Sequence, residues 1–186
     1  VNQVLDSESL RARWPNSALW GMAPLYQQSG VPAEVEAISG ACVMLKRVVF
    51  EQVGLFSEDY FMYAEDIDLS YKVRQAGHKN CYVAEAAVIH YGGSSVQQAV
   101  SNFSVVMMRE AIWRFMRKTR GRDYGMAYRV AMLLSALSRM SLLGLLRLLT
   151  APSGQLKTRE ESLQKWRAIL RWSLHREKWV QQFYPS

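Results

Sequence analysis

Cysteine is scarce in this sequence of 186 residues, which contains only Cys42 and Cys81. Neither belongs to a CxxC pair or to a cluster of cysteines and histidines. Their number and placement exclude a disulfide framework and a zinc site built from closely spaced ligands. Isolated cysteines of this kind are typical of free thiols, and we expect both side chains to be buried.

Two further features are missing. The first thirty residues contain no basic segment leading into an apolar stretch, so no secretory signal peptide is predicted there. The sequence also has no internal repeat and no low-complexity tract. It starts at Val1 instead of methionine, which indicates a fragment. Hydrophobic residues make up 49% of the composition, enough for one domain with a core, or for one domain with an appendage.

Charge is distributed unevenly along the chain. Residues 1–100 hold seven Lys and Arg against eleven Asp and Glu, whereas residues 101–186 hold sixteen against five. An acidic globular part followed by a basic part predicts attraction of the second part to an anionic surface, either membrane or nucleic acid. No RNA- or DNA-binding motif accompanies the charge, so the pattern favours a membrane and we expect no nucleic-acid partner.

The hydrophobic pattern predicts strands and helices up to residue 96 and helices alone after it. Prolines and glycines spread through residues 1–37 favour loops with short regular pieces. The predicted strands cover residues 38–45, 81–83 and 87–90, and the predicted helices cover residues 47–53, 64–76, 103–118, 126–149 and 158–180. Gly54 and Gly77 directly follow two of these helices, where a glycine commonly ends a helix.

Acidic side chains are concentrated in the first turn of the helix predicted at residues 64–76, at Glu65, Asp66 and Asp68. Carboxylates in this position can act as a general base or hold a divalent cation. His90 ends a predicted strand before a Gly-Gly loop and can act as a metal ligand. The alternative is structural, because acids also suit the amino end of a helix and a lone histidine is often part of a core. From residue types alone, both interpretations stay open.

One long run of residues carries more information than the acidic cluster. Residues 38–95 read ISGACVMLKRVVFEQVGLFSEDYFMYAEDIDLSYKVRQAGHKNCYVAEAAVIHYGGSS. This run resembles the second half of the catalytic domain in family 2 glycosyltransferases, especially bacterial rhamnosyltransferase-like members that act on lipid-linked or polysaccharide acceptors. In that family a GAC strand precedes an R..F..VG.FDE.FF.Y.ED.DL..R....G run, and A.V.H.GG.S follows. The match includes nearly every fixed position over about a third of the chain.

The resemblance implies an α/β fold, namely the C-terminal half of a GT-A (Rossmann-like) glycosyltransferase domain followed by an α-helical extension. Residues 1–100 would form the acceptor-binding and catalytic part, and residues 101–186 a basic, amphipathic, membrane-associating extension. The implied activity is inverting transfer of a sugar, with rhamnose suggested by the overall resemblance. The donor would be a nucleotide sugar, and the acceptor a hydroxyl of a glycan or of a polyprenyl-diphosphate-linked sugar. The complete enzyme would require Mg²⁺ or Mn²⁺.

The family pattern also assigns roles to individual residues. Asp66 would be the general base that takes the proton from the acceptor hydroxyl, and Glu65 would help to position the acceptor or the base. Gly40 and Ala41 would line the sugar pocket, where a larger side chain would collide with substrate. His90 would complete a divalent-metal site that balances the charge of the nucleoside diphosphate.

The roles expected for three further residues are less specific. Asp68 is predicted to cap and brace its helix. Tyr63 is a candidate platform for a sugar ring, because an aromatic face packs well on the C–H face of a sugar, with core packing an equal alternative. Trp20 stands in a proline-rich stretch without a firm motif, and a contact with the acceptor is only a minor expectation for it.

The sequence departs from the family pattern in one respect. Family members carry a nucleotide-binding half with a DxD motif before the region that matches, whereas the only D-x-D here is Asp66–Ile67–Asp68, inside the predicted helix. The donor-binding half is therefore missing, and we expect the chain alone to bind nucleotide sugar poorly and to be inactive. Its removal would expose a strand edge and an apolar face around residues 38–45, so we also expect aggregation or partial unfolding.

The helix predicted at residues 126–149 is long enough to cross a bilayer but contains Arg129, Arg139 and Arg147, which share one side at 100° per residue. Because each arginine at the bilayer centre costs about 2.5–3.5 kcal/mol, we expect the helix to lie in the interface. Further basic residues that would suit anionic headgroups are Arg109, Arg114, Arg117, Lys118, Arg120 and Arg122. Together with the resemblance to enzymes that act on lipid-linked acceptors, this implies a peripheral location at the cytoplasmic face of the bacterial inner membrane.

Alternatives remain at the level of the tail and of the whole chain. The helices can instead pack their Leu and Met side chains on the catalytic part or on a second subunit. The alternative function is a non-catalytic membrane-associating or subunit-interaction module, in which the acidic helix survives only as structure.

Overall fold

The computed structural model describes residues 13–14, 17, 31–90, 102–149 and 156–184, and the chain divides into two compact units. The first unit comprises Val1–Glu58 and Ala64–Gly92, and the second comprises Asp59–Tyr63 and Gly93–Ser186. These units do not test the functional domains predicted at residues 1–100 and 101–186, which stay a prediction.

The first unit contains two strands and two helices. They are β1 (Ala33–Val35), α1 (Arg47–Gln52), α2 (Glu65–Gln75) and β2 (Asn80–Tyr82). The strands are antiparallel, with Ala33 opposite Tyr82 and Val35 opposite Asn80. Val49 of α1 packs with Leu69 and Val73 of α2 in a small apolar core. Both helices were predicted from the sequence and are confirmed.

Helix α2 ends where Gly77 was predicted to end it. Gly77 adopts a left-handed backbone with φ of 83° and donates its N–H to the Arg74 carbonyl oxygen at 3.0 Å. His78 donates to the Val73 carbonyl oxygen at 3.1 Å, which completes the hydrogen-bond pair of a Schellman motif. The left-handed conformation favours glycine, since a Cβ there is strained.

The strand predicted at residues 38–45 is wrong. Residues 36–46 include only bends, turns and irregular backbone. The Ile38 N–H donates to Ser70 Oγ at 3.1 Å, and the Gly40 N–H donates to Asp66 Oδ2 at 2.8 Å. The segment therefore uses its backbone donors on α2, not on a neighbouring strand. A hydrophobic pattern does not show where such donors find their partners.

Two other predictions for the first unit also need correction. Residues 87–90 form no strand, because within the described residues the sheet consists of β1 and β2 alone, each three residues long. Both cysteines are exposed, not buried. Cys42 follows a turn, and strand alternation turns Cys81 outward because Asn80 takes the buried side. The described residues are thus mostly helical with one small sheet, and they do not form the larger sheet that was expected.

The second unit is helical. Its elements are α3 (Asn102–Arg120), α4 (Arg122–Leu149), α5 (Leu156–Ser173) and a 3-10 helix (Lys178–Phe183). Val106, Met107, Met132, Ala136 and Ile169 are completely buried between the three long helices. The first two predicted helices of the tail are confirmed. The third ends at Ser173, short of the predicted residue 180, because the Arg176 N–H bonds to the Arg171 carbonyl oxygen at 2.8 Å and closes the helix.

A buried ion pair joins the three long helices. Glu110 of α3 is 2% exposed and accepts hydrogen bonds from Arg114 Nε at 3.0 Å, Arg129 Nη2 at 3.3 Å and Trp172 Nε1 at 2.9 Å. The Arg129 guanidinium lies between the rings of Trp113 and Trp172, 4.6 and 4.5 Å from their centres. Burial lowers the pKa of Arg129, while the charge of Glu110 opposes that change.

The basic residues of the tail divide between exposed positions and contacts within the helical unit, with Arg117, Arg120, Arg122 and Arg147 exposed. Arg109 and Arg129 are buried, and the guanidinium of Arg139 lies 5.5 Å from the ring centre of Trp166. Lys118 forms a salt bridge with Asp59 at 2.8 Å. Indole rings and carboxylates of the helical unit contact these cations. Of the three arginines on one side of α4, Arg129 and Arg139 interact with the other helices, while Arg147 is exposed.

The short segment Asp59–Tyr63 belongs to the helical unit although the rest of its neighbourhood in the chain does not. Tyr60 is buried beneath the Lys118 ammonium, and the Phe61 ring lies 4.6 Å from that of Phe183. Phe183 in turn packs with Phe103 and Trp179. An aromatic cluster thus holds this segment on the second unit.

Candidate functional site

Asp66 occupies the first turn of α2, and both of its carboxylate oxygens are held by backbone donors. Oδ2 accepts the Gly40 N–H at 2.8 Å, and Oδ1 accepts the Ile67 N–H at 2.8 Å. The side chain remains half-buried, so one part of it stays accessible. A carboxylate with this orientation can accept a proton from a bound hydroxyl while its position stays fixed.

Gly40 is brought directly to Asp66, as expected for two residues of one site. A Cβ built on Gly40 would lie 3.4 Å from Asp66 Cβ, which is an ordinary van der Waals contact. The contact with Asp66 therefore does not by itself require glycine at position 40. The predicted need for a small residue must arise from a substrate, and it stays a prediction.

Ser70 supports the same arrangement one helical turn further along, although the sequence analysis did not single it out. Ser70 Oγ accepts the Ile38 N–H, and Asn80 Nδ2 donates to the Ser70 carbonyl oxygen at 2.9 Å and to the Glu36 carbonyl oxygen at 3.1 Å. Residues 66 and 70 lie one turn apart on one face of α2. Residues 38 and 40 are separated by a similar distance along their segment, so their two N–H groups can reach these two side chains. The sequence feature that could have identified Ser70 was a polar residue four positions after Asp66.

Glu65 precedes Asp66 and has an oxygen that no protein group satisfies. Its Oε2 atom is buried and has no hydrogen-bond partner within the described part of the chain. A buried carboxylate oxygen in this state is costly unless a ligand or water donates to it. The position is suited to accept a hydrogen bond from a substrate hydroxyl.

The backbone in front of the acidic pair is strained. Tyr63 and Ala64 have φ angles of 66° and 63°, in the left-handed region that residues with a side chain rarely adopt. Ala64 is the N-cap of α2 and provides no side-chain hydrogen bond to the helix. Strain of this kind is often concentrated at functional sites.

Asp68 has a structural environment. It is fully buried, it accepts a hydrogen bond from Ser57 Oγ, and the Lys72 ammonium lies 3.9 Å from its Oδ2. Lys72 also donates to the Leu55 carbonyl oxygen at 2.5 Å. These contacts agree with the predicted bracing role, although α2 has no side-chain cap.

The other predicted site residues are less closely connected. Ala41 is exposed in the turn after Gly40, and Tyr63 is half-buried in the second unit. His90 is exposed, and no group of three or more His, Cys, Asp or Glu side chains suited to a metal occurs among the residues that the structure describes. The described residues therefore do not by themselves fit a divalent cation. Trp20, Gly92 and Gly93 lie outside the described residues.

A comparison with protein families matches residues 25–111 to the model described as "Glycosyltransferase like family 2". The match is just under half of the chain and includes the acidic pair, Gly40 and His90. No solved structure matches the chain.

Two relatives are informative. The chain is 41% identical over 85 residues to an "N-acetylglucosaminyl-diphospho-decaprenol L-rhamnosyltransferase" of Mycobacterium tuberculosis, over 44% of this chain and 27% of that protein. It is 34% identical over 55 residues to the "Low-salt glycan biosynthesis hexosyltransferase Agl10" of Haloferax volcanii, over 30% of this chain and 17% of that protein. The chain thus spans about a quarter of the rhamnosyltransferase that it matches.

Proposed function

We propose that the complete protein transfers a sugar from a nucleotide-sugar donor to a hydroxyl of an acceptor glycan, with Asp66 as the general base, because residues 25–111 match the model described as "Glycosyltransferase like family 2". The observation that carries this proposal is the position of the Asp66 carboxylate, which two backbone N–H groups hold at 2.8 Å each. A fixed, accessible carboxylate in a family 2 segment is suited to proton abstraction.

The proposed step is a single displacement. Asp66 takes the proton of the acceptor hydroxyl as its oxygen attacks the anomeric carbon of the donor sugar. The new carbon–oxygen bond forms as the bond to the nucleoside diphosphate breaks, and the diphosphate leaves with the bonding electron pair. Attack from the opposite side inverts the anomeric carbon. Glu65 accepts a hydrogen bond from the acceptor through its buried Oε2, which lacks a partner among the described residues.

The substrate class is proposed from the relatives. The similarity to a protein named "N-acetylglucosaminyl-diphospho-decaprenol L-rhamnosyltransferase" supports rhamnose as donor sugar and a polyprenyl-diphosphate-linked sugar as acceptor. Gly40 and Ala41, exposed in one turn beside Asp66, would line the sugar pocket, and Tyr63 would stack on a sugar ring.

A divalent cation belongs to the complete enzyme in this proposal. Mg²⁺ or Mn²⁺ would offset the charge of the diphosphate leaving group, and His90 would supply one ligand. The described residues do not complete such a site, so its other ligands would come from the donor-binding half. That half would also complete the GT-A fold, so that residues 1–100 are the acceptor-binding part and this chain alone is inactive.

The location proposed for the complete protein is the cytoplasmic face of a bacterial inner membrane, with the helical extension at residues 101–186 as the attachment. The support is twofold: sixteen basic against five acidic residues in that part, and one helix from Arg122 to Arg147 that is long and apolar enough to cross a membrane. Attachment at the surface would bring the catalytic part to a lipid-linked acceptor.

The test is sugar transfer by the full-length protein with a panel of nucleotide sugars, Mn²⁺ and a bacterial membrane extract as acceptor. Wild type, Asp66→Asn and Glu51→Gln are compared, because Glu51 forms an exposed ion pair on α1 and serves as a matched control. We expect transfer by wild type and by the control, and a loss of about a hundredfold or more in Asp66→Asn.

Two results would reject the proposal. They are the absence of transfer with every donor and activity of Asp66→Asn equal to that of wild type. Either would favour the alternative function, a non-catalytic module in which the acidic helix is structural.

A further inference from the structure

The two arginines in the middle of helix α4, Arg129 and Arg139, contact the neighbouring helices of the second unit, whereas Arg122 and Arg147 near its ends are exposed. Arg129 is buried between two indole rings and bonded to Glu110, and Arg139 lies over the ring of Trp166. Both arginines therefore interact with the neighbouring helices of the second unit, and the opposite side of α4 is left without them.

The opposite side is apolar and exposed along most of the helix. We call it the leucine face and define it by Met126, Val130, Leu134, Leu137, Leu142 and Leu145, which are 46–60% exposed. At 100° per residue, Val130, Leu134 and Leu137 lie within about 60° of one another, whereas Arg129 and Arg139 lie about 100° or more from Val130. No charged residue lies on this face between its first and last members, and its polar residues there are the exposed Ser138 and Ser141.

The leucine face is too long to be a scattered set of surface residues. From Met126 to Leu145 the helix rises about 28 Å at 1.5 Å per residue. Only 17% of the apolar stretch of α4 is buried, so this is not a core helix of the unit. Soluble proteins rarely leave a largely apolar surface of this length uncovered.

We propose that the leucine face of α4 docks onto a lipid bilayer, lying in the plane of the interface with its leucines in the outer hydrocarbon region. The distribution of charge supports a lipid partner, because the exposed Arg120 and Arg122 outnumber the exposed Asp123 at the amino end of the face and Arg147 is exposed at its carboxyl end. Basic ends beside an uncharged middle are complementary to anionic headgroups above hydrocarbon.

The composition of the face separates lipid from protein as its partner. Protein interfaces are enriched in Trp, Tyr and Arg, whereas here Trp113, Trp172 and Arg129 lie inside the unit and the exposed face is aliphatic. The inward arginines also argue against crossing the bilayer. A spanning α4 would carry Arg129 and Arg139 into hydrocarbon, together with the groups that they contact.

This inference rests on the membrane location proposed above and names the surface that makes the contact. Because its test does not measure sugar transfer, the docking of the leucine face and the proposed enzymatic function can fail independently. The full-length protein is floated through a density gradient with vesicles of phosphatidylcholine alone or mixed with phosphatidylglycerol, since flotation separates vesicle-bound protein from aggregates. Leu134→Gln is compared with Leu174→Gln, a matched control that is 44% exposed beyond the end of α5. We expect stronger binding to the anionic vesicles, about tenfold weaker binding by Leu134→Gln and no change in the control.

The remaining measurements distinguish other partners. Circular dichroism confirms that both variants keep their helices, and an alkaline carbonate wash should release the bound wild type. The proposal is overturned if wild type binds neither kind of vesicle, if Leu134→Gln binds as well as wild type, or if the wash leaves the protein embedded. It is also overturned if wild type is a dimer without vesicles and Leu134→Gln a monomer, since a second copy would then cover the face.

Discussion

Asp66 shows how much a residue's role depends on contacts that its neighbours in sequence do not supply. Its Oδ2 partner is the N–H of Gly40, 26 positions earlier, and the sequence marked both residues only through the family motif. The motif placed the two in one site, and they are in contact. The geometry of that contact could not be predicted, because an N–H that bonds to a helix side chain leaves no trace in hydrophobic spacing.

The substitution Gly40→Ala separates a substrate role of Gly40 from a structural one. The new methyl group would meet Asp66 Cβ at 3.4 Å, an ordinary contact, and replacing glycine restricts the unfolded chain. We expect the free energy of unfolding to stay constant or to rise by up to about 1 kcal/mol. If Gly40 lines the sugar pocket, KM for the donor rises about tenfold in the full-length protein, equivalent to about 1.4 kcal/mol. Loss of stability with unchanged KM would contradict the pocket role.

His175 gives the helical unit a pH dependence. Partial burial lowers the pKa of its imidazole, the charge of Arg129 lowers the pKa further, and Glu110 opposes this. A lowered pKa in the folded state means that the unfolded state binds the proton more readily. The contribution of His175 to stability is therefore complete above its usual pKa and is lost as the pH falls through the lower, folded-state pKa.

The measurement is the Tm of the helical transition in wild type and in His175→Asn, at about pH 8 and about pH 5.5. Asparagine suits the left-handed backbone of this position, where φ is 58°, so the backbone stays comparable. We expect Tm to fall more on acidification in wild type than in the variant. Equal decreases would show that His175 does not contribute.

Among the elements, the helices and the strand predicted at residues 81–83 were found, whereas the strands predicted at residues 38–45 and 87–90 were not. Gly54 and Gly77 marked the ends of α1 and α2 correctly, because a left-handed residue after a helix is a local requirement that glycine meets. The predicted strand at residues 38–45 failed because strand formation needs a partner at a distance in sequence. The surroundings of the α4 arginines could not be predicted for a related reason. Periodicity showed that the arginines share a side, but only packing against Trp113, Trp166 and Trp172 determines that Arg129 and Arg139 contact the other helices.

The Glu110 cluster is the polar connection among α3, α4 and α5. In Glu110→Ala the Arg129 guanidinium would remain buried without its carboxylate, and removal of one partner of a buried pair costs about 3–5 kcal/mol. We therefore expect the free energy of unfolding of the helical unit to fall by about 3 kcal/mol, measured by urea denaturation and followed by circular dichroism. Glu161→Ala on the exposed side of α5 is the matched control and should change it by no more than about 0.5 kcal/mol. Equal effects of the two substitutions would show that the cluster is not a connection.

At the scale of the whole molecule, the acidic first unit and the basic helical unit differ in composition as the charge distribution indicated. The segment Asp59–Tyr63 departs from that simple division, because it precedes the acidic pair in the chain but belongs to the helical unit. Sequence alone gave no sign of this, since the aromatic contacts of Phe61 with Phe183 join residues more than a hundred positions apart.

The prediction that the isolated chain aggregates or stays partly unfolded gains support from its surface, although its basis changes. Residues 38–45 form no strand edge, but Met44 is 95% exposed, Ile89 83% and Val48 67% in the first unit. Exposed apolar side chains of this number favour association. We expect the chain to form concentration-dependent aggregates in light scattering, and fewer when it is joined to its donor-binding half. A soluble monomer with one sharp, cooperative thermal transition would contradict this.

The measurement that tests the central claim most directly is the kcat of Asp66→Asn relative to wild type in the full-length protein, with donor affinity measured on the same preparations. The amide keeps the size of the side chain but cannot accept the proton from the acceptor hydroxyl. The account predicts unchanged donor affinity and folding, with kcat lower by about a hundredfold or more. A kcat equal to that of wild type would contradict it, because Asp66 would then be a structural residue at the start of α2.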